Sequence, residues 1–148
     1  MKKQRAYTLI EAMIVLAIAT VLASIAYPTY SNFIDQNDMT MAEKDLVMID
    51  MEMEKYFALN GAYPPDLATI GKDIEDPWGN PYQYLNMATT NGNGAKRKDH
   101  NLVPINTDYD LFSMGPDGRS TGPLTASQSR DDIIRANNGE YIGSAADY

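Results

Sequence analysis

The chain contains no cysteine among its 148 residues, and only one histidine and one tryptophan. Without thiols there is no disulfide framework, no zinc–thiolate site and no cysteine nucleophile. With His100 as the only imidazole, one chain can build neither a histidine-based triad nor a multi-histidine metal site. A single loop histidine reads as solvated. Basic residues are scarce as well: 12 Lys and Arg stand against 20 Asp and Glu, for a net charge of −8. Lys2, Lys3 and Arg5 crowd the first six positions, and no other basic residue follows until Lys44. Without those three charges the remainder would carry −11. That acidity excludes nucleic acid as a partner, because phosphate contacts need a basic face. It suits cation binding and solubility.

What is present is unevenly spread. Hydrophobic residues make up 44% of the chain, concentrated at the front. Between Ala12 and Tyr27 no residue is charged, and only Thr20 and Ser24 are polar. Residues 7–27 would make a helix about 31 Å long at roughly 1.5 Å per residue, matching a bilayer core. The basic flank should stay cytoplasmic and the acidic remainder should cross, which makes a single-pass anchor with a domain outside. "MKKQRA" before an apolar run also suits a secretory signal. Against that, Thr8 and Glu11 intervene before the apolar core, no small-x-small cleavage site follows it, and helical patterning continues through Tyr30, Phe33 and Ile34. Glu11 is the anomaly. An unpaired carboxylate at the edge of hydrocarbon is costly, so either the stretch is not a membrane segment or Glu11 has a partner.

Over residues 38–59 apolar side chains recur at Ala42, Leu46, Ile49, Met53 and Tyr56, the rhythm of one helical face, with Met48, Met51 and Phe57 widening the stripe. The methionines read as core filler rather than a metal feature. Gly61 suits a left-handed C-cap, and Pro64–Pro65 forbid continuation. Beyond lie turn chemistry at "DPWGNP", a core plug at Trp78, and a first short strand at Tyr82–Leu85. A polar loop follows, in which "NGNGAK" lacks the further glycines and the helix that a phosphate cradle requires. "DYDLFSMG" makes a second strand and "GEYIG", near Tyr141, a third. A small antiparallel sheet on one face of a long N-terminal helix is an α+β fold.

Asp117, Asp131 and Asp132 bracket a loop rich in Gly, Ser, Thr and Pro. Such a loop either stays solvated or is organised by a divalent cation, since calcium takes six to eight oxygens from carboxylates and carbonyls. Asp108 and Asp110 lack the glycine of an EF-hand loop and have no flanking helices. No constellation of paired catalytic groups is evident, so the residues point away from an enzyme.

"A-YTLIEAMIVLAIATVLASIAYP" resembles the N-terminus of type IV pilins and pseudopilins. The set "DPWGNPYQY … DLFSMGPDG … DDI" resembles the major pseudopilins of type II secretion. The resemblance implies a leader, residues 1–6, removed by a prepilin peptidase between Ala6 and Tyr7, with N-terminal methylation of the new end. Ala6 stands where the family usually has glycine. Residues 7–27 would be the transmembrane and assembly helix, and residues 28–148 the globular domain. Cleavage would place Glu11 fifth, four residues from a new ammonium group at Tyr7; pairing with a neighbour's amine would recruit subunits. Pro28 falls twenty-second and implies a kink or loosening of the stem. The resemblance further implies a structural Ca²⁺ held by Asp117 and Asp131, with Asp132 in support and the carbonyls of Met114 and Arg119 completing the ring. Ser129 is a weaker candidate, and the stretch from Gly118 to Arg130 is longer than is usual in the family. The implied role is a helical homopolymer, the pseudopilus, anchored in the inner membrane with its domain in the periplasm. Its partners would be minor pseudopilins and an inner-membrane assembly platform; the alternative is a type IV pilin forming an extracellular fibre.

Overall fold

In the computed structural model, residues 8–100 and 102–148 are described. The expected cleavage residues Ala6 and Tyr7 lie outside them. The described chain falls into two units, one reaching to Asn37 and the other spanning Asp38–Tyr148, and helix α1 (Leu9–Asn60) contributes to both.

In the first unit, Thr8 caps α1 by accepting the Glu11 amide at 3.3 Å. The hydroxyls of the apolar stretch turn back on the helix's own carbonyls: Thr20 bonds Ala17 at 2.9 Å, Ser24 bonds Val21 at 2.7 Å and Thr29 bonds Ile25 at 2.9 Å. These polar groups are thereby satisfied within the segment, as a hydrocarbon surrounding demands. The helix continues through Pro28. Every large apolar side chain here is exposed, from Leu9 at 81% to Ile34 at 38%. The segment is long and apolar enough to cross a membrane.

In the second unit, Ala42, Leu46, Ile49 and Met53 of α1 are fully buried, as their spacing predicts. The stripe is narrower than expected, however. Met48, Met51 and Phe57 stay exposed and Tyr56 is half-buried, because a single sheet face covers one side of a helix only. Gly61, at φ +73°, closes α1 with its amide on the Phe57 carbonyl at 2.8 Å.

The sheet is antiparallel in the order β1 (Gln83–Asn86), β4 (Tyr109–Ser113), β5 (Ile133–Ala136), β6 (Tyr141–Ser144). A separate two-stranded ribbon, β2 (Lys98–Asp99) with β3 (Val103–Pro104), lies inside the polar loop. Register runs Gln83 to Phe112 and Asn86 to Tyr109 on one side of the sheet, and Ile133 to Ser144 and Ala136 to Tyr141 on the other. Thus α1 packs on a four-stranded sheet rather than the three-stranded one expected. The unforeseen strand is β5, "IIRA", whose four residues are all buried. It shows no polar–apolar alternation because both of its faces are covered. Ile133 joins the core beneath α1 with Tyr109, Leu111 and Tyr82, with Trp78 packed against it; Ile134 and Ala136 join a second cluster with Ile105, Leu124 and Ala145.

Candidate functional site

The loop that leaves β4 is shaped by two left-handed glycines, Gly115 at φ +63° and Gly118 at φ +64°. A Cβ on Gly115 would collide with the Asp131 carbonyl, so the turn lies directly against Asp131. The Asp117 amide approaches Asp131 Oδ2 at 3.4 Å, and Asp117 Oδ1 accepts the Arg119 amide at 2.7 Å. Asp117 and Asp131 are therefore neighbours across the loop, and Met114 and Arg119 flank the same turn.

The turn is braced from the "DPWGN" segment. Asp76, which is buried, accepts the amides of Trp78 (3.1 Å) and Asn80 (2.8 Å) on one oxygen and the Ser113 hydroxyl (2.5 Å) on the other. Ser113 Oγ in turn accepts the Gly115 amide at 3.0 Å, and Asn80 Nδ2 donates to the Gly115 carbonyl at 3.0 Å. Two sequence-distant pieces thus form one rigid corner around the candidate ligands.

Among the described residues, neither Asp117 nor Asp131 makes an ion pair. Nor does any group of three or more acidic or histidine side chains there stand ready to hold a metal. A cation at this corner would rest on two carboxylates and on backbone carbonyls.

Asp132 goes elsewhere. Adjacent residues of an extended chain point to opposite sides, and Asp132 is fully buried against the Arg97 guanidinium. It also accepts the Ser120 hydroxyl at 2.7 Å. Burial holds its carboxyl above the ordinary aspartate range, with Arg97 pulling the other way. Ser129 is likewise occupied, accepting the Thr121 amide at 2.9 Å and donating to the Thr121 carbonyl at 2.8 Å.

Two arginines that sequence reasoning passed over do much of the organising. Arg97 is 3% exposed and Arg135 1%. Arg135, on β5, forks onto Asp108 at 2.9 and 2.8 Å, pairs through Nε with Asp50 of α1, and lies 3.9 Å over the Tyr109 ring. The only sequence signal was an arginine inside an apolar run at "IIRA". "AKRK" offered none, since its three cations look alike. Glu11 sits exposed in the first turn of α1, and the amine expected to meet it belongs to Tyr7, outside the described residues.

Residues 1–27 match the prokaryotic N-terminal methylation motif. The chain is also similar along most of its length to proteins called type II secretion system core protein G. It is 30% identical to that of Pseudomonas aeruginosa, over 82% of this chain and 89% of the relative. Identity is 31% to that of Escherichia coli (strain K12), over 78% and 84%, and 28% to that of Klebsiella pneumoniae, over 90% and 94%. No solved structure matches.

Proposed function

Because the chain belongs to the core protein G family of type II secretion systems, we propose that it is a structural, non-catalytic subunit that polymerises into a periplasmic pseudopilus. A prepilin peptidase removes residues 1–6, the new end at Tyr7 is methylated, and the subunit waits in the inner membrane as a single-pass protein. Subunits then leave the bilayer by exchanging lipid for the apolar stems of their neighbours, with minor pseudopilins and an inner-membrane platform as the other partners.

One observation carries this reading. An apolar helix exposes every large side chain from Leu9 to Ile34 and holds a single acid, Glu11, in its first turn. That surface needs lipid or copies of itself to cover it. In either setting a lone carboxylate is expensive, and an ammonium four residues upstream, or on an adjoining subunit, makes it tolerable. The three basic residues before Tyr7 support cytoplasmic retention of that end.

The corner at Asp117 and Asp131 supports a structural calcium ion as our reading: two aspartates without a basic partner lie on one braced turn, the Asp117 amide 3.4 Å from Asp131 Oδ2. The carbonyls of Met114 and Arg119 are the backbone donors of that site. Bound Ca²⁺ would supply charge neutralisation to this turn and stabilise the folded chain over the unfolded one. Asp132, already neutralised by Arg97, takes no part.

The test is Glu11→Ala. The variant should insert and be cleaved like the parent yet yield few or no filaments by electron microscopy and cysteine-free chemical crosslinking. Filaments of normal number and length from cleaved Glu11→Ala would refute the pairing.

A further inference from the structure

The stretch between Gly118 and Asp131 joins β4 to β5, and at its base Asp132 is buried to the last atom. A carboxylate in that position needs a cation. The cation comes from an unrelated part of the chain, just before β2. Arg97 reaches in with Nη2 on Asp132, while Nη1 meets the Ser120 hydroxyl and the Thr121 carbonyl, the latter at 3.1 Å. Its guanidinium lies 4.2 Å over the Phe112 ring, and its own amide is tied to Asp110 Oδ2 at 2.7 Å. The backbone beside it is zipped to the same loop: the Lys98 amide donates to the Gly122 carbonyl at 2.8 Å and the Leu124 amide to the Lys98 carbonyl at 3.0 Å. Ser129 then ties the far side of the loop back to Thr121.

The form of the grip is informative. Arg97 Nε and Asp132 Oδ1 are buried and unpartnered. The pair is therefore not the two-point fork an arginine makes when a carboxylate is its sole concern. The second terminal nitrogen is given instead to a hydroxyl and a carbonyl of the loop. One carboxylate, one hydroxyl and one carbonyl gathered around a positive centre are the oxygen types a divalent ion would collect.

We propose that Arg97 stands in for a metal at the base of this loop, gathering Asp132, Ser120 and Thr121 so that residues 119–130 keep their folded path without divalent cations. Calcium is then left with the Asp117–Asp131 turn alone. The inference goes beyond the filament reading and holds whether or not the subunit polymerises.

The Thr121 and Leu124 amides lie inside the loop, away from the calcium turn, and are hydrogen-bonded to Ser129 Oγ and the Lys98 carbonyl, so their hydrogen exchange reports its local opening. With the full chain in detergent, exchange at these two amides is followed by fragment mass spectrometry, in chelator and in Ca²⁺. In the parent, chelation should change the two rates by no more than about twofold. Arg97→Met should raise them about tenfold or more in both media, by leaving Asp132 buried and unpaired. Arg97→Met combined with Asp132→Leu should recover only the share due to the lone charge and stay at least about threefold above the parent, since Ser120 and Thr121 are no longer held by Arg97. A tenfold loss of protection on chelating the parent would overturn the proposal, and that comparison needs no variant to fold. Unchanged exchange in Arg97→Met would overturn it too. So would a double variant restored fully to the parent's rates, which would assign the effect to the lone charge of Asp132 and leave Arg97 no organising role. The Asp117→Ala experiment below reads calcium-dependent melting, so failure of the calcium assignment and failure of this one are distinguishable.

Discussion

Replacing Arg135 by Met tests whether the sheet is locked to α1 by charge or only by apolar contact. Methionine keeps most of the aliphatic stem and removes the guanidinium alone. In the folded chain that group is 1% exposed and compensates three carboxylates, Asp108 through a two-point contact, Asp50 through Nε and the more exposed Glu54 at 3.9 Å. Removing one partner of a buried pair costs about 3–5 kcal/mol. The lower part of that range applies here, for two reasons. Asp108 and Asp50 are 17% and 20% exposed and regain some water. Each also keeps a donor, Asp50 the Tyr109 hydroxyl at 2.6 Å and Asp108 the Tyr109 amide at 2.6 Å. The lost contact with the Tyr109 ring adds about 0.5–1 kcal/mol. We expect a total near 3–4 kcal/mol, a large share of the 5–15 kcal/mol typical of a domain. Urea unfolding followed by circular dichroism, with the parent's m-value retained, measures it. A loss below about 1 kcal/mol would mean that the apolar stripe on α1 holds the sheet unaided, and the account of this cluster would fail.

Two further outcomes are expected. With Ca²⁺ at about a hundred times its dissociation constant, the parent should gain roughly 2.7 kcal/mol of stability, and Asp117→Ala should gain none while matching the parent in chelator; calcium stabilisation that survives the substitution would reject the corner as the site. Burial also pushes the phenols of Tyr63, Tyr82 and Tyr109 upward, and that of Tyr84 up to about 12. Since the unfolded phenol titrates near 10, the stability tied to keeping these groups neutral is complete below about pH 10 and disappears as pH climbs through the folded values. Tyrosinate absorbance and near-ultraviolet circular dichroism should therefore change together at alkaline pH; ionisation of all the tyrosines near pH 10 with the fold intact would contradict their burial.

Local, repeating physics was readable in the order of residues. The uncharged run after Glu11, the spacing of Ala42, Leu46, Ile49 and Met53, and the stop at Gly61 and Pro64 each depend on a period or a conformational preference that neighbours in sequence express by themselves. Strand β5 escaped because that logic assumes one wet face, and "IIRA" has none. The widened stripe through Met48, Met51 and Phe57 was over-read for the opposite reason: their hydrophobicity says nothing about whether a sheet lies opposite.

The acidic loop divides in the same way. Its glycines and carboxylates announced a constrained, charged corner, and Asp117 does meet Asp131 there. Which aspartate keeps its charge free, and which gives it to an arginine, could not be inferred from three like residues in a row of polar ones. Sequence alone determined the helix, its stop and the composition of the loop. Tertiary structure decided the partners of Asp132 and Arg135, 35 and 85 residues away in Arg97 and Asp50, because an ion pair is chosen by distance and desolvation in space, and neither has a periodicity along the chain.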